Sequence, residues 1–185
     1  MKNLTLGLLA ALALTVSTQA QVFGSVNRNA PTMTSSITFA ESEATATISY
    51  KALNFAEGKF VERMKDANFR QFMNAQAKQQ GLGSLSLPAD MNIGGTDVAA
   101  GDYGVHFFAS DEGHPILTLS KDGELIQWTL DGLQENETSR PRLVMNFVPA
   151  AKANEVDLHL HFGNLSMDIP VKPVAKDDDG EKEEV

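Results

Sequence analysis

Residues 156–171 read VDLHLHFGNLSMDIPV, and they decide the fold class. Val156, Leu158, Leu160 and Phe162 alternate with Asp157, His159 and His161, the period of two that sends successive side chains to opposite faces of a β-strand. After Gly163-Asn164 the alternation resumes, with Leu165, Met167, Ile169 and Val171 against Ser166 and Asp168. A two-residue loop with Gly first suits a tight hairpin turn, because Gly takes positive φ with no Cβ to obstruct it. The expected ribbon sets Phe162 opposite Leu165, His161 opposite Ser166, Leu160 opposite Met167 and His159 opposite Asp168. One side is then wholly apolar. The other gathers Asp157, His159, His161, Ser166 and Asp168.

The same period runs through most of the chain. Ala44, Ala46, Ile48 and Tyr50 alternate with Thr45, Thr47 and Ser49, and Ser36 to Phe39 is expected to pair with them across Glu41-Ser42-Glu43. Tyr103 to Ala109 is rich in Val and aromatics. Ile116 to Ser120 and Leu125 to Leu130 flank Lys121-Asp122-Gly123, and Asp-Gly between alternating runs signals a hairpin. Arg142 to Val148 completes the set. Strand-length segments divided by turn chemistry imply an antiparallel β-sandwich of the mainly β class, over residues 33–175. One packed α-helix is expected over Glu57 to Gln80, which is full of helix formers. Phe60, Met64, Ala67, Phe69, Phe72, Met73 and Ala75 form its apolar stripe, read as core before cofactor pocket, and Gly81 stands where a helix C-cap belongs.

Outside this domain the chain changes character. Lys2 followed by the apolar run Leu4 to Val16, with small residues at Thr18 and Ala20, is the pattern of a cleavable signal peptide over 1–20. The run is shorter than the roughly 20 residues a membrane-spanning helix needs. Residues 21–32 read as a flexible linker, and 176–185 (KDDDGEKEEV), with six acids against two lysines, as a disordered acidic tail. The chain is thus expected to be exported, periplasmic or extracellular, with no transmembrane segment in the mature protein. Cysteine is absent, so packing alone must stabilise the fold. A formal net charge of −9 and scattered Lys and Arg provide no basic surface for phosphates, and no nucleic-acid partner is expected.

Residues 87–109, LPADMNIGGTDVAAGDYGVHFFA, resemble the characteristic segment of the DUF2911 family, secreted bacterial proteins defined by a domain of unknown function. A short strand, a turn at Gly94-Gly95, a second strand and Ala100-Gly101-Asp102-Tyr103 carry the resemblance, which extends over about Ala44 to Val171. Tyr50-Lys51-Ala52-Leu53 lacks the Arg-Pro pair common in that family, so the chain resembles a divergent member. The resemblance implies export and a β fold and brings no activity with it.

Candidate chemistry centres on Asp157, His159, His161, Ser166 and Asp168. Two imidazoles two apart on one strand share a face, and with a carboxylate opposite they make up the inventory of a divalent-metal site. The plainer expectation is a solvated sheet face. His106, among apolar neighbours, reads as a satisfied, partly buried histidine, His114 as a turn residue and Trp128 as core. No G-x-S-x-G, P-loop, dinucleotide-binding glycine pattern or H-E-x-x-H occurs. The function read from the sequence is a non-enzymatic accessory or ligand-binding module without cofactor, its partner an unknown small molecule or envelope protein. A metal-dependent hydrolase using the Asp157/His159/His161/Asp168 face is the alternative.

Overall fold

A computed structural model of the chain describes residues 30–39, 43–54, 60–150, 152 and 155–174. The expected signal peptide, the acidic tail and most of the linker lie outside them. The last residues expected in the linker are built into the fold, since Ala30 is buried and Thr32 opens the first strand.

The described residues form twelve elements in order: β1 (Thr32–Phe39), β2 (Ala44–Lys51), α1 (Phe60–Met64), α2 (Ala67–Gln79), β3 (Gly83–Leu87), β4 (Met91–Ile93), β5 (Thr96–Val98), β6 (Gly101–Ala109), β7 (Pro115–Lys121), β8 (Glu124–Thr129), β9 (Gln134–Pro149) and β10 (Val156–Pro173). They form two antiparallel sheets, β1-β2-β3-β6-β7-β8 and β5-β4-β10-β9, which make a β-sandwich. The expected turns are present. Asp122 and Gly123, at φ 52° and 89°, join β7 to β8, and Gly94 and Gly95, at φ 56° and 84°, join β4 to β5. Positive φ at both central residues is the two-residue type I′ geometry, whose twist matches that of the strands.

β10 doubles back on itself. His159 Nδ1 lies 2.6 Å from Asp168 Oδ1 and Lys172 Nζ lies 3.9 Å from Glu155 Oε1. Nine extended residues would hold the first pair roughly 30 Å apart. Both contacts fit one register, with Phe162 opposite Leu165 and the reversal at Gly163. Gly163 has φ 57° and Asn164 is not among the positive-φ residues, the type II′ pattern with Gly first. The descending arm pairs with β9 from Val156↔Pro149 to His161↔Val144, and the end of the ascending arm pairs with β4. The core side of the ribbon is buried at Val156, Leu158, Leu160, Phe162, Leu165, Ile169 and Val171. It faces Ile48, Leu85, Val105 and Leu117 of the larger sheet within one apolar cluster. Each such side chain contributes about 1.5–3 kcal/mol by leaving water, so packing replaces the covalent links the chain lacks.

The two seams of the sandwich close differently. Along β9, the N–H of Leu143 donates to Leu53 O (2.9 Å), that of Met145 to the Tyr50 hydroxyl (2.9 Å) and that of Phe147 to Ser35 Oγ (3.0 Å). An edge strand that would otherwise offer free donors is thereby tied to the facing sheet. At the opposite seam the Trp128 indole donates to Ile93 O at 3.0 Å and rests on Gly94. Trp128 is only partly buried, so it acts as a clasp at the margin of the core.

Of the single helix expected over Glu57 to Gln80, residues 57–59 lie outside the described residues and the rest forms two helices. Asp66 ends the first and caps the second, its carboxylate accepting from the Asn68 N–H at 2.9 Å. Phe60, Met64 and Met73 are buried as expected, Phe69 is partly buried, but Phe72 is half exposed and Ala67 and Ala75 face solvent. The break rotates the apolar stripe. Gly81 takes no left-handed conformation, and the helix ends instead through extended Gln80 (φ −137°). α2 covers the stretch of β6 that runs past the end of β3. There the Asn74 amide donates to Ala109 O (2.9 Å) and accepts from its N–H (2.7 Å), standing in for a strand residue.

Candidate functional site

The hairpin brings all five expected residues to the outer side of the ribbon, and their partners then divide them. His159 is bonded to Asp168, and Ser166 Oγ accepts from Asn136 Nδ2 at 2.8 Å. The His159 and His161 rings lie 5.8 Å apart at 84°, edge to face. Asp157 sits near Asp168 and Glu155. Burial raises its pKa, and the two neighbouring negative charges raise it further.

His161 departs from the expected solvated face. It is 9% exposed, and its Nε2 is buried with no hydrogen-bond partner among the described residues. Burial lowers its pKa, as does the adjacent His159, so the ring is held neutral. Among the described residues no group of three or more His, Asp or Glu side chains is placed to hold a metal ion. The metal-site inventory shares a face without converging.

The other histidines match their expected places. His106 Nδ1 lies 3.0 Å from Ala77 O and its Nε2 2.9 Å from Ser120 Oγ, so both ring nitrogens are occupied between sheet and helix. His114 closes the β6–β7 turn, where its N–H donates to Ser110 Oγ at 3.0 Å.

That turn borders a concavity. At one end of the sandwich, α1, the β6–β7 turn, the link from β8 to β9 and the tip of the β10 hairpin enclose a cleft of about 330 Å³. Phe60, Met64, Leu130, Leu133 and Leu165 give it an apolar interior. Phe60 meets Phe162 edge to face at 5.5 Å, and Phe162 meets Phe107 at 6.4 Å, so the interior wall continues directly into the core. Lys65, Glu112, His114, Asp131 and Glu135 line it with polar groups. Gly113, at φ 91°, lets the turn approach α1, and a Cβ there would stand 2.7 Å from Met64 O.

Sequence reasoning missed this cleft because its walls come from four separate stretches of chain, none carrying a motif. The available signal was the Phe60/Met64 pair, read as core stripe with a pocket as the lesser reading. No family model matches the chain, and neither does any curated protein or solved structure.

Proposed function

We propose that this protein is an exported, non-enzymatic binding module that takes a small molecule into the cleft at the end of the sandwich. The observation carrying this reading is the cleft itself: about 330 Å³, apolar within and bordered by a few polar side chains, at the lower end of the size range of small-molecule sites. Its walls are anchored in the core through Phe60 and Phe162, so binding needs no rearrangement of either sheet. The leader-like residues 1–20 and the resemblance to the DUF2911 family support export to the periplasm or medium.

Native mass spectrometry of protein purified from its producing cells tests the reading, with a Leu133→Trp variant that fills the cleft as comparison. A retained small-molecule mass on the parent chain that disappears in the variant is the expected result. Equal retention by both refutes the cleft. N-terminal sequencing of the mature protein is expected to begin near Gln21.

A further inference from the structure

Granting that the cleft is the binding site, we infer that its ligand is a small organic cation, an amine or quaternary ammonium joined to an apolar body. Among the described residues the lining carries three carboxylates, Glu112, Asp131 and Glu135, against one ammonium, Lys65. Among the described residues the ion pairs of lysine form elsewhere, at Lys152–Glu155 and Lys172–Glu155, so the three carboxylates engage no Lys or Arg of those residues. The whole chain, at −9, adds a field that draws cations towards the cleft and repels anions.

A bare metal ion does not fit the same features. Among the described residues the acids form no group able to hold one, and a metal gains nothing from Phe60, Met64, Leu130, Leu133 and Leu165. An amphipathic cation uses both halves of the site. Its apolar body leaves water against those side chains, and an ammonium head beside the Phe60 ring is further favoured by the ring's quadrupole. The carboxylates then face the charged head from the solvent side, where each attraction is modest and weakened by salt.

Calorimetric titration of the full chain at low salt with 2-phenylethylamine, 2-phenylethanol and 3-phenylpropionate separates the possibilities, because the three differ chiefly in charge. The amine is expected to bind about tenfold more tightly than the alcohol, as three modest exposed-charge attractions add, and the propionate to give no binding heat. Combining Glu112→Gln, Asp131→Asn and Glu135→Gln is expected to bring the amine down to the alcohol's affinity. Leu133→Trp is expected to abolish both, with unchanged circular dichroism showing that each variant folds. If the alcohol or the propionate binds as tightly as the amine and Leu133→Trp abolishes that binding, the cation inference is overturned and the cleft stands. If no probe binds, or Leu133→Trp leaves every titration unchanged, the cleft reading falls and the cation inference with it.

Discussion

Replacing Tyr50 with Phe removes one oxygen atom from the interior and leaves the ring in place. That oxygen accepts the Met145 N–H at 2.9 Å. Tyr50 is 3% exposed and Met145 is fully buried, so water has no access to take over the bond. Ring burial is unchanged and the transfer contribution is close to zero. What remains is a buried donor left without a partner, which costs about 1–3 kcal/mol. The low dielectric of the core places the expected loss in the upper part of that range, about 2 kcal/mol. For a domain of this size the melting temperature should fall by roughly 4–10 °C. Urea unfolding followed by emission of Trp128, the one tryptophan, measures the loss. The denaturant slope should stay constant, because the surface exposed on unfolding is the same. Ser35→Ala provides the contrast: Ser35 accepts the Phe147 N–H at 3.0 Å, but both residues are only partly buried and water can replace the hydroxyl. Its cost should stay below about 1 kcal/mol. A Tyr50→Phe loss under about 0.5 kcal/mol, or equal losses for the two variants, would refute this account of the seam.

The His161 imidazole is held below its ordinary value of 6.5, so the unfolded chain takes up the proton first. The stability it carries is complete above pH 6.5 and declines as pH falls through that value towards the folded one. His161→Leu should flatten the stability profile between pH 7.5 and pH 5.5, and an unaltered profile in chemical denaturation would count against the burial. Gly94→Ala forces a Cβ into φ 56° and within 3.0 Å of the Trp128 ring. It should cost about 1–2 kcal/mol in backbone strain and shift Trp128 emission. Gly95→Ala, at φ 84° with nothing within 4 Å of the new Cβ, should carry strain alone, and an emission shift in both variants would discredit the clasp. Asn74→Ala removes two bonds to Ala109 and exposes a strand margin, with an expected loss of about 1–3 kcal/mol and faster light-scattering growth on warming. An unchanged melting temperature would show that the helix covers that margin without the amide.

The parts legible in the sequence are those where local chemistry and global packing agree. The β10 register followed from alternation on both sides of Gly163, because a slip of one residue would turn Phe162 and Leu160 outwards. Gly94-Gly95 and Asp122-Gly123 were readable because few residues tolerate their backbone angles. β3 is hard to read from the sequence, although Leu85 and Leu87 alternate with Ser84 and Ser86, because five residues give a weak period. The helix break was written in Asp66, a good N-cap residue, but the apolar residues around it mimic one continuous stripe. For the candidate site, the sequence placed Asp157, His159, His161, Ser166 and Asp168 on one side. It gave no sign that His161 would be covered, since Thr138 and Gly163, whose backbones reach its ring, depend on how β9 bends around the hairpin. The cleft was beyond local reading, because it exists only once the turn at Gly113 and the tip at Leu165 meet.

The unequal seams give the sandwich a hinge side and a free side, like a bound book. Three successive odd-numbered residues of β9 stitch one margin through their main chain, while at the other the bond among the described residues is that from the Trp128 indole. Transient parting of the leaves should therefore begin beside β4 and β5 and die out before reaching β9. Deuterium would enter the amides of Met91–Val98 long before those of Leu143–Phe147, and the molecule would breathe in one direction only.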